Sequence, residues 1–157
     1  FEQYVKDMMK KRMDCDFWGS INKDCLNKKG LIELFTYLKD NGYKIGICSS
    51  SPEAYVKTLL TDVSIDLPYD VMICGDKVKE KKPSPEIFLT AANILNIKPE
   101  NILVVEDSKN GIIAATRAHM HHCFIFDTIK PDDELKNMLE FEKDSMDEII
   151  PLLESFK

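Results

Sequence analysis

Long apolar runs are missing from this chain. Nothing in its 157 residues approaches the roughly 18–20 consecutive apolar residues of a membrane span. Residues 1–12 are lysine-rich and amphipathic, without the apolar stretch of a secretory leader. Paired cysteines are missing too. Cys15, Cys25, Cys48, Cys74 and Cys123 are odd in number and scattered, with no CxxC. That argues against a disulfide framework or a zinc site and for a reducing, cytoplasmic setting. Cys48, Cys74 and Cys123 stand in apolar runs and read as small core residues. There is no excess of positive charge: 21 basic against 27 acidic residues give −6. Neither nucleic acid nor an anionic membrane is expected as a partner. No internal repeat or low-complexity segment interrupts the chain. Its first residue is Phe1 rather than Met, so we expect a piece of something longer.

What is present is ordinary for a globular domain, with 44% hydrophobic and 31% charged residues. The pattern alternates. Residues 2–13 read as a helix and 18–29 as a linker. Leu31, Leu34, Phe35 and Leu38 recur at helical spacing, and Asn41-Gly42 stops that helix. Residues 43–48 have strand character, and Pro52 suits the first turn of a helix reaching about Leu60. Residues 70–74 form a second predicted strand, ended by Gly75-Asp76. Pro85 opens a helix over 86–95. Residues 101–105 are a third strand, and Ser108 can cap a helix over 109–118. Residues 122–126 are a fourth strand, and 145–156 a closing amphipathic helix. Strands alternating with helices imply βαβ units, a parallel sheet and helices on both faces. Ligands of such sheets bind beyond the carboxyl ends of the strands.

Each predicted strand is followed by a polar cluster. After the first comes Ser49-Ser50-Ser51-Pro52, which suits either a phosphate, held by hydroxyls and backbone N–H groups, or a plain helix cap. After the second comes Lys79-Glu80-Lys81-Lys82-Pro83-Ser84-Pro85. A lysine there is either a point charge for a phosphoryl group or part of a solvated basic loop. The Lys-Pro-x-Pro spacing is the more specific part, because the two prolines fix the backbone around Ser84. After the third comes Glu106-Asp107-Ser108. Adjacent carboxylates repel, and a Mg²⁺ ion, which takes oxygen ligands, would compensate them. The bland alternative is that Asp107 or Ser108 only caps the next helix.

Taken in order, Ser49, Lys82-Pro83 and Glu106-Asp107-Ser108 resemble the second, third and fourth motifs of the haloacid dehalogenase superfamily. The wider match includes Gly30-Leu31, residues 41–44, 82–88 and 106–112, and Ala114-Ala115. It looks most like the β-phosphoglucomutase and sugar-phosphate phosphatase branch. The resemblance implies a Rossmann-like α/β core over 26–157, with residues 1–25 the C-terminal end of a helical cap and its linker. It implies an aspartate nucleophile that becomes an aspartyl phosphate, with Mg²⁺ as cofactor. Glu106 and Asp107 would hold the Mg²⁺, one of them through water. Ser49 would donate to the transferring phosphoryl group, and Lys82 would neutralise it. Ser50, Ser51 and Ser108 would help seat the phosphate.

The match fails at the first motif, an apolar strand ending in Asp-x-Asp-Gly-Thr. The only Asp-x-Asp is Asp14-Cys15-Asp16, followed by Phe17-Trp18 and preceded by a charged helical pattern. We read it as a surface turn, and expect the central first-motif strand to be missing. His119 stands where the family has a glycine that ends the helix. His119, His121 and His122 lack the spacing of a metal site. The expected function is a phosphohydrolase of small phosphorylated metabolites, here without its nucleophile. A phosphomutase, or a phosphate-binding fragment that does not turn over, are the alternatives.

Overall fold

The computed structural model describes residues 29–62, 68–126 and 130–157. The predicted helix over 2–13, the cap remnant and linker over 1–25, and Asp14-Cys15-Asp16 lie outside the described residues. Among the described residues six helices and five strands alternate: α1 (Leu31–Asp40), β1 (Gly46–Ser49), α2 (Glu53–Asp62), β2 (Val71–Cys74), α3 (Glu86–Leu95), β3 (Leu103–Glu106), α4 (Lys109–Arg117), β4 (His121–Ile125), α5 (Asp133–Lys136), β5 (Phe141–Lys143) and α6 (Ile149–Glu154). Single turns of 3₁₀ helix at Pro99–Asn101 and Met146–Glu148 lead into β3 and α6.

Every ladder is parallel, and among the described residues they form two sheets. One pairs β1 with β2, Gly46 opposite Val71 and Ser49 opposite Cys74. The other runs β3-β4-β5, with Leu103 opposite His121 and Cys123 opposite Phe141. No ladder joins β1 to β3 among the described residues.

Helices cover both faces. Strand side chains alternate between the faces, so Val104 packs with α3 and α4 while Leu103 and Val105 pack with α1 and α6. The first core joins Val71 and Ile73 of β2, Val104 of β3, Ile87, Phe88, Ala91 and Ala92 of α3, and Ala114 and Ala115 of α4. The alanines let α3 and α4 approach the strands closely. On the other face Leu34 of α1 and Ile149 and Leu153 of α6 meet Cys123 and Ile125 of β4. Cys74 and Cys123 are fully buried, as small core residues should be.

Three helices end alike. Gly42, Asn96 and His119 take positive φ after α1, α3 and α4. In each case the next amide bonds back across the turn, Tyr43 to Leu38, Ile97 to Ala92 and Met120 to Ala115. This is the left-handed closure expected at Gly42, and His119 adopts it without being glycine.

Four strands arrive close to where the sequence put them, and two elements do not. The first strand begins at Gly46 rather than Tyr43, because the Tyr43 amide is used to close α1. The short α5 and β5 were not anticipated. In β5 only Phe141 is apolar, and three residues carry no readable period.

Candidate active site

The site is built from the carboxyl ends of β1 and β3 and from the loop that enters α3. At β1 the chain turns through Ser49, Ser50 and Ser51. The Ser49 hydroxyl accepts from the Ser51 amide at 3.2 Å. Its own hydrogen remains available to donate. Residue 75 must be small there, since a Cβ on Gly75 would overlap the Ser50 carbonyl. The Gly75 amide donates to the Ser51 carbonyl at 3.0 Å. Asp76 accepts from the Glu53 amide at 3.1 Å and so caps α2 from the neighbouring loop.

The loop after β2 is ordered by Glu86, whose two oxygens accept from the Lys79 and Glu80 amides at 2.9 and 2.8 Å. Those bonds hold the Glu86 carboxyl below its ordinary range. Lys82-Pro83 is a cis peptide. Arg117 of α4 donates to the Pro83 carbonyl at 3.0 Å. The Lys82 side chain is turned inward, only 7% exposed. Its ammonium donates to the Cys48 carbonyl at 3.1 Å, lies 4.7 Å from the centre of the Phe88 ring, and forms an ion pair with Glu106. By contrast Lys79 and Lys81 are exposed.

At the end of β3 the carboxylate of Glu106 is 10% exposed. One oxygen takes the Lys82 ammonium. The other accepts from the Asp107 and Ser108 amides, both at 3.0 Å, and from the Ser108 hydroxyl at 2.8 Å. Ser108 also caps α4, accepting from the Gly111 amide at 3.1 Å. Asp107 stands exposed beside it.

The structure thus joins Lys82, Glu106 and Ser108 directly, and brings Ser49 to them through its neighbour Cys48. Ser50 is an exposed loop residue, and Asp107 an exposed one at the mouth of β3. Burial pushes the Cys48 thiol up to about 11 against the pull of Lys82, which favours the neutral thiol over the thiolate. The roles of Glu86, Phe88, Gly111 and Arg117 were not assigned from sequence. All but Arg117 lie inside the quoted motifs, but what they touch is invisible in a string of letters.

The three histidines sit elsewhere. His119 ends α4. His121 Nδ1 lies 2.6 Å from Glu140, and the buried His122 places Nε2 2.9 Å from the Met138 carbonyl. Among the described residues no group of three or more His, Cys, Asp or Glu side chains is placed to hold a metal, and no helix is long and apolar enough to cross a membrane. The oxygen-only pair Glu106 and Asp107 suits the chemistry of a hard cation such as Mg²⁺. Asp107 is the more exposed of the two, while both Glu106 oxygens already accept from protein donors.

This chain belongs to the haloacid dehalogenase-like hydrolases, whose family pattern matches residues 2–125. Within that family it falls in the β-phosphoglucomutase-like branch. It is 35% identical over 95 residues to the phosphorylated carbohydrates phosphatase of Thermotoga maritima, covering 60% of this chain and 44% of that protein. The β-phosphoglucomutase of Clostridium difficile superposes with TM-score 0.67 at 30% identity, covering 78% of this chain and 52% of that one. CbbY of Rhodobacter sphaeroides, solved with phosphate, gives 0.71 at 27% identity, covering 78% and 55%. The chain therefore spans about half the length of these relatives.

Proposed function

We propose that this chain forms the phosphate-neutralising half of a Mg²⁺-dependent phosphohydrolase acting on small phosphorylated metabolites, sugar phosphates foremost. The observation that carries the reading is the Lys82 ammonium, sequestered between the end of β1 and the end of β3. A lysine buried against a carbonyl, a carboxylate and an aromatic face contributes little to solubility and much to charge placement. Names of relatives agree: one is a phosphatase of phosphorylated carbohydrates and one a β-phosphoglucomutase.

In this reading an aspartate outside residues 29–157 attacks the phosphoryl group and carries it as an aspartyl phosphate, which water then hydrolyses. Ser49 donates its hydroxyl hydrogen to a phosphoryl oxygen. Lys82 holds positive charge where negative charge develops. Ser50, Ser51 and Ser108 seat the phosphate with hydroxyl and backbone N–H groups. Mg²⁺, when bound, supplies neutralisation of the phosphoryl oxygens; Asp107 would hold it directly and Glu106 at one remove. A phosphomutase is the same chemistry with a bound sugar hydroxyl in place of water, and the likeness to β-phosphoglucomutase favours it as the second reading.

The test is hydrolysis of p-nitrophenyl phosphate with and without Mg²⁺. We expect none from residues 1–157 alone, and Mg²⁺-dependent turnover once an apolar strand ending in Asp-x-Asp-Gly is joined upstream. Lys82→Ala or Asp107→Ala should then abolish it. Turnover by the 157-residue chain itself would point back to Asp14 and Asp16.

A further inference from the structure

Glu106 does not extend from its strand into solvent. Its carboxylate folds back over the first turn of α4, where the Asp107 and Ser108 amides and the Ser108 hydroxyl hold one oxygen. The other oxygen meets Lys82. The volume it occupies exists because residue 111 has no side chain: a Cβ on Gly111 would overlap the carboxylate carbon and both oxygens of Glu106. Gly111 lies within a helix and has no positive φ. Its backbone conformation is one any residue adopts, and glycine inside a helix lowers helix stability relative to alanine. The helix therefore has no use of its own for glycine at this position. Glu106 does.

We infer that Gly111 is a positioning residue: by lacking a side chain it seats Glu106, and Glu106 in turn seats Lys82 against the Cys48 carbonyl. The inference deepens the reading above, on which Lys82 is the group that meets the phosphoryl charge. One added methyl at 111 displaces the carboxylate and releases the lysine.

Two measurements on the 157-residue chain test this. The first is the rate of amine acylation at Lys82, read by peptide mass spectrometry. In the parent chain Lys82 should be protected relative to Lys79 and Lys81, which are exposed. In Gly111→Ala and in Glu106→Ala its rate should rise several-fold towards theirs, and in Glu100→Gln, an exposed carboxylate paired with Lys98, it should not change. A protected Lys82 in Gly111→Ala, or equal release in Glu100→Gln, overturns the inference. The second measurement guards against simple misfolding. Gly111→Ala should lower Tm in the parent chain and raise it on a Glu106→Ala background, where the carboxylate is gone and alanine is the better helix former. An equal loss on both backgrounds would mean that the new methyl meets something other than Glu106, and the cradle would be refuted. Neither readout requires turnover. If the protein extended upstream by the Asp-x-Asp-Gly strand hydrolyses no phosphate ester while Lys82 follows these rates, the functional reading fails and the cradle stands.

Discussion

The β1-β2 ladder and the β3-β4-β5 ladder share the α3 and α4 layer, but different forces hold them. In the second, β4 is flanked on both sides and Cys123, Phe124 and Ile125 are 0–1% exposed. Apolar burial dominates there. In the first, β2 is buried at Val71, Ile73 and Cys74, but in β1 Gly46 is exposed and Ile47, Cys48 and Ser49 are only half-buried. Polar contacts add to the fastening of β1. Lys44 pairs with Asp70 at 2.8 Å, the Ile45 amide donates to Asp70 at 2.9 Å, and Glu53 pairs with Lys57 and Lys77. Such exposed pairs are screened by solvent and each contributes little. The difference teaches where rigidity resides. Glu106 projects from the well-packed half and the serine turn from the looser one, and Lys82 is the tie between them. Low-stability segments are the ones that move around ligands, while the packed half keeps its charges fixed.

The largest effect should follow from cutting that tie. Lys82→Ala leaves the Glu106 carboxylate nearly buried without its cation, a loss of roughly 3–5 kcal/mol, read as a lower urea midpoint at unchanged slope. A midpoint that does not move would mean that the halves are held together by something else.

Next comes a direct contrast between the ladders. Phe124→Ala in β4 should cost roughly 3–5 kcal/mol, whereas Ile47→Ala in β1, half-buried, should cost roughly 1–2 kcal/mol. Equal losses in thermal or urea unfolding would break the comparison.

The smallest effect concerns pH. The Asp70 carboxyl is held below its ordinary value near 3.8, first by Lys44 and then by the Ile45 amide. Its folded state thus prefers the ionised form. The contribution is whole above about pH 4 and fades as pH falls below 3.8 through the depressed folded value. Protection of the Ile45 amide, taken as its exchange relative to the intrinsic rate at each pH, should fall in that acid window in the parent chain and lose this dependence in Asp70→Asn. Unchanged protection would remove Asp70 from the set of fastenings.

Much of this was legible in the sequence, for reasons particular residues make plain. Apolar runs at 70–74, 101–105 and 122–126 are long enough to show a buried strand, and Pro85, Ser108 and Asn41-Gly42 punctuate the helices between them. The charged residues of the site were legible because each follows a strand. What was not legible depends on approach in space. Asp76 rather than a serine caps α2, Arg117 reaches Pro83 from another helix, and Gly111 matters for what lies above it. β5 was missed because its pairing with β4, not its own composition, makes it a strand.

The three left-handed helix closures have a consequence for how this domain can change. Gly42 takes positive φ at no steric cost, whereas Asn96 and His119 hold φ of 54° and 57° with a side chain attached. In a strand-then-helix unit the helix runs back, so these closures lie at the end of the sheet opposite to Ser49 and Glu106. Two places therefore exist where a change to glycine would relieve backbone strain far from the chemistry. Thermal tolerance in this domain is adjustable from its far end, by single substitutions that leave the serine turn, Lys82 and the acidic pair untouched.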